Sequence, residues 1–324
     1  MSAGAAPWVL PWIAFFAAWM LLCCAAFALH RLTARHIAAI PAAERSALLL
    51  ALAMLPVTVA ALVALLGFTP SLGGVLVDHH CHAGQGCGAH VPILYAGAPY
   101  ALTVGALLFV TTLVLCGSVL RRLRHTQRVA GALGLLAEPA PLAQCRMIDS
   151  PVPFAYCIGL WRPKVVISKG LERTLTREEL NAVVAHEQAH AARRDNLRHG
   201  FAALALLPLG PRARRALLAD LTLASEQACD RAAIGPTGNS AALLGAFATI
   251  QPGERMLATR ATDSGAATTL ASRVAALERG RFEAYSHYAV PATVIGAYTT
   301  AALVTTFVAH HSAELLLGWL RWLG

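Results

Sequence analysis

Residues 182–196 read AVVAHEQAHAARRDN, with two histidines four positions apart and a glutamate directly after the first. The stretch belongs to a longer run, TREELNAVVAHEQAHAARRDN, that reads as one helix. Thr176 and Glu179, three residues apart, form a capping-box signature. Leu180, Val183 and Val184 then follow a helical period, and alanine-rich sequence continues to about Arg194. On such a helix His186 and His190 leave the same face one turn apart. Two imidazoles so placed can reach one zinc ion at about 2.0–2.1 Å, with Glu187 beside them to act on an attacking water. A hydrolytic zinc site takes three protein ligands and keeps one open position. Downstream, LTLASEQACDRAAI (221–234) offers Glu226 as the third ligand, and Asp230 one turn later. The interval from His190 leaves room for a connecting helix and a reversal. Asp230 could then accept a hydrogen bond from a ligand histidine and fix its tautomer.

The rest of the chain sets this helix in a membrane protein. The 324 residues are 57% hydrophobic and 13% charged, about half the charged share of a soluble domain. Mean hydropathy is positive. Pro7–Leu29, Ser46–Phe68 and a run from about Ile93 to Leu120 are each long enough to cross ~30 Å of hydrocarbon. A fourth runs from about Tyr288 to Ala309, with Pro291 near its start. Met1–Ala6 carries no Lys or Arg, so the first run reads as an anchor rather than a signal peptide. Phe201–Leu209 is apolar but too short to span, which suits a core or interface helix. The final AELLLGWLRWLG suits a short helix at the membrane surface.

Basic residues give the orientation. Arg31, Arg35 and Arg45 sit in the first short loop, and Arg121, Arg122, Arg124 and Arg128 follow the third span. The N-terminus and the loop from about Thr69 to Pro92 have no Lys or Arg. The positive-inside rule then puts both termini outside and residues 121–285 in the cytoplasm. Loop charge of this kind accounts for the formal +9, and no nucleic-acid partner is expected. The spans lack buried charges, which argues against a transporter.

Cys23, Cys24 and Cys116 lie inside spans, and Cys145, Cys157 and Cys229 in the cytoplasmic part, where disulfides are rare. Only Cys81 and Cys87 fall outside, within DHHCHAGQGCGAH (78–90). With His79, His80, His82 and His90 around them, they suit either a small disulfide loop or a copper or zinc site.

Three segments in this order and spacing carry a resemblance: SPVPFAYCIGLWRPKVVISKGL (150–171), LTREELNAVVAHEQAHAARRDN (175–196) and SEQACDRAA (225–233). They resemble the BlaR/MecR-type integral-membrane zinc metallopeptidases, metallopeptidase family fifty-six. The HtpX-like and CAAX-prenyl-protease group shares the H-E-x-x-H and E-x-x-x-D pattern. The ACD after Glu226, the RRDN after His190 and the Pro-Phe…Gly…Arg-Pro segment favour the BlaR/MecR type. The resemblance implies a mainly α membrane protein of four transmembrane helices. A cytoplasmic α+β gluzincin domain, a minimal zincin, is inserted between the third and fourth. The expected divisions are 1–125, with three spans; 126–285, the peptidase domain; and 286–324, the last span and a short tail. It implies zinc (Zn2+) held by His186, His190 and Glu226, Glu187 as general base, and Asp230 orienting a ligand.

The strand KVVIS (164–168) precedes the helix, and in gluzincins such a strand edges the cleft; Val165, Val166 and Ile167 are therefore expected to hold substrate by strand addition. Only about fifteen residues follow Ala309, where antibiotic-sensing members carry a penicillin-binding sensor. The implied activity is endopeptidase cleavage of a protein or peptide, such as a cytoplasmic transcriptional repressor or the chain itself. Membrane lipid and self-association complete the expected partners. The alternatives are HtpX-like quality control of membrane proteins and a non-catalytic receptor or scaffold with a retained zinc fold.

Overall fold

The structure is a computed structural model that describes residues 9–68, 80–82, 86–88, 99–139, 145–235, 240–250 and 263–279, with residues 296, 300, 304, 305 and 308. It is mostly helical, with a small mixed sheet. Helix α1 (Val9–Ala39) and α2 (Ala42–Phe68) pack along each other, joined by a two-residue turn at Ile40 and Pro41. Arg45 Nη1 donates to Ala38 O at 3.1 Å, satisfying a carbonyl at the end of α1. Strands β1 (His80–His82) and β2 (Gly86–Gly88) form an antiparallel hairpin whose backbone register sets Cys81 opposite Cys87.

Helix α3 (Pro99–Leu136) continues past the apolar run into its basic segment. Arginines are good helix formers, so the end of hydrophobicity at Leu120 does not end the helix. Its true end is held by Arg146, whose Nη1 donates to Gly134 O at 2.6 Å and Ala137 O at 3.2 Å. Among the described residues, three helices are long and apolar enough to cross a membrane: Pro11–Ala39, Ala42–Leu65 and Gly105–Leu136. On α3, Leu107, Phe109, Val110, Leu113 and Val114 are all exposed, the expected surface for lipid. The expected fourth span lies outside the described residues apart from the isolated ones named above, which are helical, and the tail lies outside them altogether.

After α3 come β3 (Glu138–Pro139), β4 (Cys145–Ile148), β5 (Ala155–Ile158) and β6 (Lys164–Ser168), in sheet order β3-β4-β6-β5. β4 and β6 are parallel, while β3 and β5 pair antiparallel to their neighbours. This corrects the expected edge role of Val165, Val166 and Ile167. β6 is paired on both sides, and these three side chains are 2%, 1% and 0% exposed. A substrate strand has no free hydrogen-bonding edge there. The outer strand on that side is β5.

Short helix α4 (Lys169–Thr174) is capped by Ser168, whose hydroxyl accepts from the backbone N–H of Leu171 and Phe154, both at 3.0 Å. Gly170 is required at this junction. Its N–H donates to Ser150 O at 2.9 Å, and a Cβ there would collide with the backbone of Pro151 and Val152. Gly170→Ala is therefore expected to cost about 1–3 kcal/mol, the usual penalty of overpacking. Equilibrium unfolding of the purified protein checks this, and a variant as stable as the parent would contradict it.

Helix α5 (Arg177–Arg193) opens with the full capping box: Glu179 N–H donates to Thr176 Oγ1 at 3.3 Å, and Thr176 N–H to Glu179 Oε2 at 2.9 Å. Leu180, Val183 and Val184 pack on Val165, Ile167 and Ala155 of the sheet. Arg194 then takes the left-handed conformation (φ 54°, ψ 44°), and α6 (Asp195–Ala205) starts at once. After a turn, α7 (Pro211–Ile234) begins with proline at its first position and returns along α5. Helices α8 (Ala241–Thr249) and α9 (Asp263–Arg279) close the domain.

The short apolar stretch near residues 201–209 is an interface. Ala202, Leu206 and Leu209, with Leu217, Leu221 and Ala224 of α7, share one buried core with Ala18, Trp19 and Cys23 of α1 and Leu49, Ala53 and Ala60 of α2. Trp19 Nε1 donates to Ala205 O at 2.7 Å inside it. His30 of α1 meets Asp220 at 3.0 Å.

Candidate metal centre

Helices α5 and α7 bring His186, His190 and Glu226 together. The two Nε2 atoms are 3.1 Å apart, and each lies 3.5 Å from a different oxygen of Glu226. Tetrahedral zinc with bonds near 2.0–2.1 Å would hold its donors roughly 3.3–3.4 Å apart. The three atoms thus have the spacing of a shared ion. A His2Glu donor set is also that of catalytic rather than structural zinc.

The opposite ring nitrogens are turned to carboxylates. His186 Nδ1 is 2.9 Å from Asp230 Oδ1, and His190 Nδ1 is 2.9 Å from Asp195 Oδ2. Each contact leaves Nε2 free to face the other ligands. Burial disfavours charge on His186, but Asp230 and Glu226 more than offset it and raise the ring's pKa. At His190, Asp195, Cys229 and Glu226 overcome burial in the same direction. The pocket therefore draws positive charge to the point where the Nε2 atoms converge. That is a physical reason for it to accept a cation.

Glu187 stands beside the pair, 8% exposed. Burial pushes its carboxyl up against the pull of His186 and His190, and the Cys157 backbone N–H donates to it. Asn196 Nδ2 donates to Cys157 O at 2.9 Å and to Gly159 O at 3.2 Å, pinning the end of β5 to the start of α6.

A second group, His190, Asp195 and Cys229, also gathers metal-ligand atoms. Its carboxylate is already committed. Arg193 Nε donates to Asp195 Oδ2 at 3.2 Å and Arg198 Nη1 to Oδ1 at 2.9 Å. Burial would raise the Asp195 carboxyl, but His190 and Arg193 hold it down at about 2. Burial also pushes the Cys229 thiol up, keeping it from becoming a thiolate. A metal here would have to displace two arginines and a proton. His186, His190 and Glu226 are the better site.

The sequence reading did not find Asp195 or Arg273. Asp195 stands in the quoted RRDN, but its reach to His190 depends on the left-handed turn at Arg194, unusual for a residue with a side chain. Arg273 comes from α9 and lies on the carboxylates of Glu226 and Asp230. Its Nη1 donates to Glu226 Oε2 at 2.9 Å, its Nε to Asp230 Oδ2 at 2.8 Å and its Nη2 to Asp230 Oδ1 at 2.5 Å. Its guanidinium also sits 4.7 Å from the centre of the Phe247 ring. Nearby, His199 Nε2 lies 3.2 Å from Ser225 Oγ, and Arg231 Nη1 donates to Gly235 O at 2.9 Å.

No curated protein and no solved structure matches the chain. A family model described as Peptidase family M48 matches residues 121–279, which run from the basic end of α3 through α9 and contain every residue of this site. The matched family is not the BlaR/MecR type to which the sequence resemblance pointed, though that type too is a zinc metallopeptidase. The stretch of chain that builds the His186–His190–Glu226 centre is thus similar to peptidase family M48, whose members are zinc-dependent metallopeptidases.

Proposed function

We propose that the chain is an integral-membrane zinc endopeptidase that cleaves a protein substrate at the cytoplasmic face, in the manner of BlaR/MecR-type signalling proteases. The observation that carries the reading is the convergence of His186 Nε2, His190 Nε2 and a Glu226 carboxylate next to a buried Glu187. Zinc held by these three would supply Lewis-acid polarisation of the scissile carbonyl and a more acidic water. Asp230 and Asp195 hold the imidazoles in the orientation that presents Nε2. Glu187 takes the proton of the attacking water, and burial, by raising its proton affinity, suits it to that task. Cys157 N–H keeps the carboxylate aimed, and Glu187 then passes the proton to the leaving amine. With β6 enclosed, the substrate-lining role passes to β5, whose Tyr156, Cys157 and Ile158 are only half-buried.

The cytoplasmic placement rests on the basic residues. Arg45, in the first turn of α2, hydrogen-bonds Gln227 next to Glu226, so the metal site lies at the basic end of the helix pair. An HtpX-like quality-control protease is the second reading, equally compatible with the core that the peptidase domain shares with α1 and α2.

Purified full-length protein in detergent is expected to bind about one equivalent of zinc, the load of a single His2Glu site. His186→Ala, His190→Ala and Glu226→Ala should each lower it. A Glu226→Ala protein with full metal content and activity would remove Glu226 from the ligand set. Substrate trapping with Glu187→Ala separates the two readings: one cytoplasmic repressor for signalling, a spread of misfolded membrane proteins for quality control.

A further inference from the structure

Resting on that reading of the site, we infer that Ser46, on the membrane helix α2, is a positioning residue for the metal centre. Ser46 is fully buried, and its hydroxyl is a junction between two routes. Along the first, Arg193 Nη2 donates to Ser46 Oγ at 2.8 Å. The same guanidinium donates through Nε to Asp195, and Asp195 sits 2.9 Å from Nδ1 of the ligand His190. Along the second, Ser46 Oγ lies 3.0 Å from Oγ of Ser225, the residue before the ligand Glu226. The neighbour of Ser46 adds to this hold: Arg45 donates to Gln227, the residue after Glu226. Both chain neighbours of one ligand are therefore bonded directly to two consecutive residues of α2, and the orienting partner of another is tied to the same helix through Arg193.

A hydroxyl in this position does something an apolar side chain could not. Arg193 can satisfy Asp195 with one edge only while its other edge has an acceptor. Without one, the half-buried guanidinium would lose the acceptor that fixes its inner edge, and the cation could turn toward water and loosen its hold on Asp195. Movement of α2 in the bilayer, by tilt or sliding, would act in the same way on both ligands at once. The structure thus holds a route from the membrane helix to the metal that needs no further domain.

The test measures zinc affinity of the full-length protein in detergent by chelator competition, alongside the unfolding midpoint of the zinc-free protein. Ser46→Ala is expected to weaken zinc about 10-fold, the lower range for loss of an outer partner of a metal ligand. In an Arg193→Gln background the same change should cost clearly less, because the route through Asp195 is already cut and only the contact with Ser225 is left to lose. Zinc affinity within twofold of the parent, or an equal loss in both backgrounds, would overturn the inference. A fall in the unfolding midpoint with zinc affinity intact would do so too, leaving Ser46 a packing residue. If Ser46→Ala is recovered unfolded, Ser46→Cys, of similar size and weaker as an acceptor, carries the same comparison. Should the parent bind no zinc, it is the proposed function that fails, not the coupling.

Discussion

Glu187→Gln is expected to lower kcat by about 10²–10⁴-fold, the usual share of a general base, while zinc content stays at the level of the parent. Glutamine keeps the size of the side chain in a site 8% exposed and can still accept the Cys157 N–H through its amide oxygen. It cannot take up a proton. The proposed ligands His186, His190 and Glu226 keep their own carboxylate and arginine partners, none of which is Glu187. Cleavage of a peptide substrate, assayed with metal content on the same preparation, decides the matter. A rate within tenfold of the parent would mean that another group takes the proton, and loss of zinc would make Glu187 a ligand.

Replacing Arg273 should produce the largest loss of stability. Its guanidinium answers two buried or half-buried carboxylates at once, and its own side chain is only 13% exposed. Taking one partner out of a buried ion pair typically costs about 3–5 kcal/mol, and His186, which faces both carboxylates, offsets part of that here. Arg273→Met retains most of the stem that lies over Phe247, so the expected loss is mainly electrostatic. Denaturant unfolding of the zinc-free protein is the cleaner measurement, since bound metal would itself offset the stranded carboxylates. A change below about 1 kcal/mol would show that Glu226 and Asp230 find water or another cation instead.

The parts of this molecule that were legible in the sequence are those written in short intervals. A capping box spans three residues and the histidine pair four, so Thr176, Glu179, His186 and His190 announce their helix and its face. KVVIS shows itself as a strand for the same reason, but its rank in the sheet does not. That rank is set by Cys145–Ile148 on one side and Ala155–Ile158 on the other, pairings that no local pattern carries. Reading an edge from chain order alone therefore misplaced Val165, Val166 and Ile167. The length of Phe201–Leu209 correctly ruled out a span and allowed an interface. Which surface it meets depends on Trp19 and Leu49, far away in the chain. Arg273 is the extreme case: an arginine in a stretch of ordinary helix, given meaning only by the fold that lays α9 across α7.

The apolar core shared by α1, α2, α6 and α7 bears on how the protein is made. The first two helices leave the ribosome well before residues 195–234, so they can already be in place when that segment, which bears Glu226, is synthesised. They then offer a finished surface on which Ala202, Leu206, Leu209, Leu217 and Leu221 settle. Each of those leucines left bare would cost roughly 1.5–3 kcal/mol. The domain that carries the site thus takes part of its folding template from α1 and α2, and a chain whose first two helices are out of place is expected to leave that domain incomplete.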